Sequence, residues 1–214
     1  MGPITLYTSG STKEPKLIYH EDIMKHVYRA INEIELTPRD RVLNVFPANV
    51  IANYTVTAVP AMTVGSHLFT TKFDPYNYIR LFREFKPTYT SLIPGHLNVL
   101  AKTKEWNNFD MSSLRYLVIG SQVVEQWMID ALRERGVTTV ANWYGMTEAP
   151  PPVLIGYNST AFDFNPKSGY TVEFADDGEC IINGMPTRDI FNLQTKEFVS
   201  RKTEANGTTW KNTF

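Results

Sequence analysis

The stretch Thr8-Ser9-Gly10-Ser11-Thr12-Lys13-Glu14-Pro15-Lys16 gathers hydroxyls, a glycine and two lysines between the apolar runs "ITLY" and "LIY". Hydroxyls donate to phosphate oxygens, a glycine lets the backbone come close or take a positive φ, and ammonium groups supply charge to an anion. By composition this is a phosphate cradle. It is not a Walker loop, because the Gly-Lys-Ser/Thr ending is missing and no long helix follows directly. The same residues also make an ordinary polar hairpin turn with Leu17-Ile18-Tyr19 as its return strand, and composition alone does not decide between the two.

A second stretch, "NWYGMTE" from Asn142 to Glu148, sets an aromatic ring, a glycine, a hydroxyl and a carboxylate on one loop. Such a loop can stack a flat base, touch a substrate near a reacting phosphate and bind a hard cation through oxygen. Taken alone, it reads equally as a strand-end turn with Tyr144 packed in the core.

Both stretches need a scaffold, and the pattern around them supplies one. From Pro3 to about Tyr144, short β-rich runs alternate with helical periodicity. "ITLYT" predicts a strand, and Ile23, Val27, Ile31 and Ile34 recur at helical spacing after it. "RVLNVF", "SHLFTT", "TYTSLI", "LRYLVIG" and "TTVANWYG" predict further strands. "IANYTVTAVPAM", "DPYNYIRLFREFK", "PGHLNVLAKTKEW" and "EQWMIDALRERG" predict helices, with a kink or early end at Pro60 in the first of these. This alternation predicts an α/β fold with a mostly parallel sheet flanked by helices, and ligands in such sheets bind where strands end and loops begin. After Pro150-Pro151-Pro152 the texture changes to short strands and turns, with a hairpin expected at Asp177-Gly178. A boundary near Ser159 divides the chain into an α/β part, residues 1–158, and a small, incomplete β-rich subdomain, residues 159–214.

Composition narrows the class. Lys and Arg total 21 against 22 acidic residues in 214, so no global positive field points to nucleic acid and no basic face to a membrane surface. The single Cys180 excludes an intramolecular disulfide and a thiolate metal cluster, and it fits a reducing, cytoplasmic setting as a small apolar filler. The opening "MGPITLYTSG" lacks the basic and apolar regions of a signal peptide. The nearly uncharged "VLNVFPANVIANYTVTAVPAMTVG" is long enough to cross a bilayer, but its asparagines, threonines and prolines would lack partners there, so a buried strand and helix are expected.

Together and in this order, the two loops resemble those of the adenylate-forming superfamily: acyl- and aryl-CoA ligases, luciferases and peptide-synthetase adenylation domains. Thr8 to Thr12 and Pro15-Lys16 match its phosphate loop, T-S-G-S/T-T-G-x-P-K-G. Asn142, Tyr144, Gly145, Thr147 and Glu148 match its later loop, N-x-Y-G-x-T-E. The resemblance runs from Ile4 to about Glu148. It implies ATP- and Mg²⁺-dependent activation of a small-molecule carboxylic acid as an acyl-adenylate, with coenzyme A among the thiols that would accept the acyl group. It implies that Thr8, Ser9, Ser11, Thr12 and Lys16, around Gly10, hold the β- and γ-phosphates. Tyr144 would stack on adenine within the nucleotide loop of Asn142 and Gly145, Thr147 would contact the α-phosphate, and Glu148 would bind the metal. Lys16, Thr147 and Glu148 are thus the candidate catalytic residues. Gly120, Ser121, Gln122 and Met146 would line the acyl pocket, with Ile93-Pro94-Gly95 nearby.

The sequence also departs from the family pattern. Lys13 replaces the second loop glycine and Leu17 the final one. Asn49 or Asn53 stands where many relatives carry a histidine, and an amide does not titrate near neutrality. No role in chemistry is expected for His20, His26, His67 or His96. "SRKTEANG" bears a slight resemblance to the ribose-binding Y-R-T-G-D, with Glu204 in place of its aspartate. The resemblance further implies that an N-terminal subdomain and a lysine-bearing C-terminal domain are missing. Three outcomes are therefore expected alternatives: a minimal or truncated ligase, a non-catalytic nucleotide- or acyl-binding module, and one chain of a split ligase. A homodimer or a separate chain would cover the face left by the missing subdomain.

Overall fold

The computed structural model describes residues 2–7, 17–167, 169–202 and 209–210. The sequence-predicted phosphate-loop residues Thr8, Ser9, Gly10, Ser11, Thr12 and Lys16, together with Lys13 and Glu204, lie outside the described residues. The strands on either side of that loop are described: β1 (Ile4–Tyr7) pairs antiparallel with β2 (Leu17–His20), in the register Ile4 to His20 through Tyr7 to Leu17.

After the helix α1 (Met24–Ile34), a six-stranded sheet forms from β3 (Arg41–Asn44), β4 (His67–Thr70), β5 (Tyr89–Leu92), β6 (Tyr116–Gly120), β7 (Val140–Tyr144) and β8 (Leu154–Tyr157), in the order β4-β3-β5-β6-β7-β8. The pairings from β4 to β7 are parallel, and β8 runs antiparallel along β7. The connecting helices are α2 (Ile51–Thr55), α3 (Ala58–Val64), α4 (Pro75–Phe85), α5 (Pro94–Leu100) and α6 (Gln126–Glu134).

The inner strands β3, β5, β6 and β7 are buried on both faces because their alternate side chains enter different cores, whereas the edge strand β4 is largely exposed. Val42, Tyr89, Val118, Ala141 and Trp143 pack with Ala30 and Ile34 of α1 and with Val56 and Ala61. Leu43, Leu92, Leu117, Ile119 and Val140 pack with Tyr78 and Phe82 of α4, Leu97 and Leu100 of α5, and Met128 and Leu132 of α6. This is the two-sided cover that a parallel sheet requires. Its helices start where the sequence marks them: the Asp74 carboxylate accepts from the Asn77 backbone N–H at 2.8 Å, and Pro75 opens α4.

One helix boundary differs from expectation. The break in the long apolar stretch falls at Val56-Thr57, between α2 and α3, rather than at Pro60. Pro60 instead sits in the first turn of α3, where its missing N–H costs nothing. The Val56 carbonyl, which an N–H at position 60 would have met, accepts from the Tyr89 hydroxyl at 2.6 Å. The stretch is therefore core, and no helix among the described residues is long and apolar enough to cross a membrane.

The remaining strands form a second, five-stranded antiparallel sheet: β9 (Val172–Phe174), β10 (Glu179–Ile182), β11 (Met185–Phe191), β12 (Phe198–Lys202) and β13 (Thr209–Trp210). Gly178 takes φ +86° in the expected Asp177-Gly178 turn, and Asn183-Gly184 makes the next turn with both residues left-handed. Phe162, Phe191, Ile182 and Cys180 build a third core with Tyr144 and Leu154, which joins this sheet to the end of β7.

Candidate functional site

At the C-terminal ends of β6 and β7, a cleft of about 410 Å³ lies between the two sheets. Ser121 to Gln126 form one wall, Asn142 to Met146 the floor, and Thr160, Phe162, Asp189, Glu197, Phe198 and Arg201 the wall facing from the small sheet. The expected residues Ser121, Gln122, Asn142, Tyr144, Gly145 and Met146 therefore meet at one place. Gly120 and Thr147 do not line the cleft. A side chain at Gly120 would lie 2.3 Å from the Trp143 carbonyl oxygen, so this glycine is needed for the close approach of β6 and β7. The Gln122 side-chain oxygen accepts from the Gly95 N–H at 2.9 Å and ties the cleft wall to the start of α5, which puts Gly95 beside it as expected.

Gly145 has an equally specific cause. A Cβ there would stand 2.7 Å from the backbone of Pro151, so the loop after β7 can fold back only with glycine at this position. The returning loop is held by Met146 and Ala149, which exchange backbone hydrogen bonds, and by the Val153 N–H donating to the Tyr144 carbonyl at 2.8 Å.

Tyr144 ends β7 with its ring largely buried on the cleft floor. Phe191 meets it edge-on at 5.0 Å and Phe162 at 6.1 Å between ring centroids. Its hydroxyl donates to the Asp189 carboxylate at 2.8 Å, and burial raises its pKa well above that of a free tyrosine. Asp189 in turn faces Arg201, its cross-strand partner on β12, at 3.7 Å. Burial pushes the Asp189 carboxyl up from its ordinary 3.8; Arg201 and the Tyr144 hydroxyl pull against this, and Glu148 and Glu179 add to it.

The small-sheet wall was not found by motif reasoning. Its Asp189 stands in a β-bulge: Ile181 pairs with Pro186 but Glu179 with Ile190, which leaves Thr187, Arg188 and Asp189 opposite Cys180. Arg188 takes φ +68°, and Thr187 and Asp189 both turn to the buried side. The Thr187 hydroxyl donates to the Cys180 carbonyl at 2.8 Å and accepts from the Asp189 N–H at 3.1 Å. A usable signal was present, since an acidic residue at an inward position between Thr187 and Phe191 is out of place in a simple core strand.

Thr147 and Glu148 sit half-buried just past the cleft floor. They face His20, which follows the sequence-predicted phosphate loop on β2. Burial lowers the pKa of His20, and the Thr147 backbone and the Glu148 charge act the other way. His20 is 8% exposed, with its Nε2 lacking a hydrogen-bond partner among the described residues. The strand leaving the loop of residues 8–16 is thereby packed against the end of the later motif. Among the described residues there is no cluster of three or more His, Cys, Asp or Glu able to hold a metal ion. One carboxylate nevertheless suits Mg²⁺, which takes one or two protein oxygens and completes its shell with phosphates and water, so Glu148 fits as the protein's donor.

The other candidates serve the fold. Asn53 accepts from the Asn44 amide at 3.0 Å in a buried network closed by the Thr57 hydroxyl, and Asn49 is exposed. His26 is buried against Tyr170 and Arg29, and burial lowers its pKa to about 3. Cys180 is fully buried, its thiol pushed up to about 12 by burial.

A parallel sheet with a ligand-sized cleft at its strand ends, roofed by a small antiparallel sheet, is the architecture of an adenylate-forming domain. Residues 4–175 match the family model described as AMP-binding enzyme, and the chain belongs to that family. It is 30% identical over 148 residues to indoleacetate–CoA ligase of Aromatoleum aromaticum, covering 68% of this chain and 29% of the relative. It is 28% identical over 155 residues to feruloyl-CoA synthase of Amycolatopsis, covering 71% and 31%. Among solved structures, O-succinylbenzoate coenzyme A synthetase from Bacillus subtilis, in complex with ATP and magnesium ion, superposes with a TM-score of 0.77 at 17% identity. That match covers 96% of this chain and 52% of the other and concerns the fold alone. The chain thus spans about a third of the length of these curated relatives.

Proposed function

We propose that this protein binds ATP with Mg²⁺ and activates a carboxylic acid as its acyl-adenylate, the half-reaction of an AMP-forming acid–thiol ligase. The observation that carries the proposal is the meeting of Tyr144, Gly145, Met146, Ser121 and Gln122 around one cleft, with Thr147 and Glu148 turned toward the strand that leaves the phosphate-type loop. In that reading the base lies against Tyr144 and the triphosphate runs past Thr147 toward Lys16. The acid enters between Gln122 and Met146. A carboxylate oxygen attacks the α-phosphorus, the bond from that phosphorus to the β-phosphate bridging oxygen breaks, and pyrophosphate leaves with the bonding electrons. Glu148 would hold Mg²⁺, which when bound would supply charge neutralisation for the phosphates. The chain's part is positioning and preorganised charge, which is most of what such a transfer needs.

The aromatic acids named for the two curated relatives make aryl carboxylates the first acids to test. The test is exchange of labelled pyrophosphate into ATP across a panel of aryl and alkyl carboxylates. Exchange is expected to depend on one acid class and to fall about 10²–10³-fold in Lys16→Ala and Glu148→Gln. ATP binding without exchange, for any acid, would instead make the protein a nucleotide-binding module. No ATP binding would overturn both readings.

A further inference from the structure

The relation of Asp189 to Tyr144 goes beyond the family motifs. The Tyr144 ring is constrained from three directions: edge-on contacts with Phe191 and Phe162, and a hydroxyl bond of 2.8 Å to Asp189. The aromatic contacts and the surrounding core limit the tilt of the ring, but none of them is directional along its long axis. The hydroxyl bond to Asp189 is. Asp189 is itself held: its backbone N–H is bound to Thr187, it stands in the bulge, and Arg201 faces it from the next strand.

A tyrosine hydroxyl at a core edge needs only an acceptor, and a backbone carbonyl would serve. A carboxylate with an 8% exposed side chain is a costly acceptor, and a partner at 3.7 Å recovers only part of its desolvation. Stability alone therefore gives no reason for an acid at position 189. Placement of the ring does, because a charged acceptor makes a shorter, stronger and more directional bond than a neutral one.

We propose that Asp189 is the positioning residue of the nucleotide site, fixing the Tyr144 ring in the plane on which the base lies, with Arg201 steadying its carboxylate from the opposite strand. This rests on the nucleotide reading of the cleft given above. Asp189 does not touch the triphosphate in that reading and acts through Tyr144.

The test measures binding of Mg·ATP and of inorganic tripolyphosphate, which has no base, to the full chain by titration calorimetry. Asp189→Ala and Tyr144→Phe should each weaken ATP about tenfold, as expected for loss of a charge-assisted hydrogen bond, and the double variant should be no weaker than either. Asp189→Asn keeps an acceptor for the hydroxyl but not its charge, so its affinity should fall between that of the parent and that of Asp189→Ala. Tripolyphosphate affinity should be unchanged in every variant, which a general loosening of the fold would not allow. ATP binding unchanged in both Asp189→Ala and Tyr144→Phe would overturn the inference while leaving the nucleotide site in place. So would additive losses, or Asp189→Asn as damaged as alanine. If Asp189→Ala does not fold, Tyr144→Phe and Asp189→Asn still decide the matter. Failure of the parent chain to bind ATP would overturn the nucleotide reading and this inference together, an outcome distinct from the others.

Discussion

Two aspartate–arginine pairs sit at opposite ends of this molecule with nearly the same exposure and very different geometry. Asp40 and Arg115, at the N-terminal ends of the central strands, have side chains 5% and 37% exposed; Asp189 and Arg201, at the cleft, have 8% and 39%. Arg115 grips Asp40 through two bonds of 2.8 Å and donates as well to the carbonyls of Ile34 and Glu35 at the end of α1. The hydroxyls of Thr88 and Thr37 and the Thr37 N–H fill the remaining lone pairs of Asp40. Burial pushes the Asp40 carboxyl up, but these bonds outweigh it and hold the pKa at about 2. Asp189 has the Tyr144 hydroxyl and a more distant Arg201, and for it burial wins. At similar side-chain exposure, the fully hydrogen-bonded Asp40 is held ionised, while the more deeply enclosed and less fully partnered Asp189 is pushed toward its neutral form.

The largest expected effect comes from breaking the first pair. Arg115→Ala leaves a buried carboxylate without its counter-charge and frees the end of α1, so chemical denaturation should show a loss of about 3–5 kcal/mol. Arg201→Ala, at a pair of similar exposure, removes one contact of 3.7 Å from a carboxylate that burial already pushes toward its neutral form, so it should cost clearly less than Arg115→Ala. Comparable losses from the two would remove the distinction.

The pH dependence should differ in sign. Asp40 has a folded pKa below its unfolded value of 3.8, so its contribution is present above about pH 4 and is lost as pH falls toward about 2. Over that window it amounts to about 2 kcal/mol. Asp189 has a folded pKa above 3.8, so its contribution is present below about pH 4 and declines as pH rises through the folded value. Stability curves of Asp40→Asn and Asp189→Asn against the parent should therefore have opposite slopes over the acid range. Slopes of the same sign would contradict the structure at one of the two sites.

How far the sequence reached follows the same division. The central sheet was legible because its evidence is local: apolar strands, helical spacing from Ile23 to Ile34, and Pro75 after a capping aspartate each report on their own neighbourhood. The cleft floor was legible as chemistry because "NWYGMTE" carries its functional groups on one loop. The facing wall was not. Tyr144 and Asp189 lie 45 positions apart, and their meeting depends on how β11 of the small sheet is placed against the end of β7. The strand β8 was missed because the proline run before it reads as a break, although Val153 and the residues after it return along β7. The position of the helix break near Pro60 was misjudged because the partner of the Val56 carbonyl, the Tyr89 hydroxyl, comes from another strand.

The smallest expected effect is also the most discriminating. Asp189→Asn removes a charge that burial disfavours while keeping the shape and an acceptor for the Tyr144 hydroxyl, so at neutral pH it should change stability by less than about 1 kcal/mol. Asp40→Asn cannot be as mild. An amide there turns one of the two acceptor oxygens into a donor facing the N–H groups of Arg115 or Thr37, and the partly exposed guanidinium loses its counter-charge. Denaturation of the two variants side by side checks this at similar side-chain exposure. A small effect at 189 and a large one at 40 would mean that the cleft carboxylate contributes little to folding, as expected of a residue kept to position a ring. A loss above about 3 kcal/mol at 189 would make Asp189 a fold-holding group like Asp40.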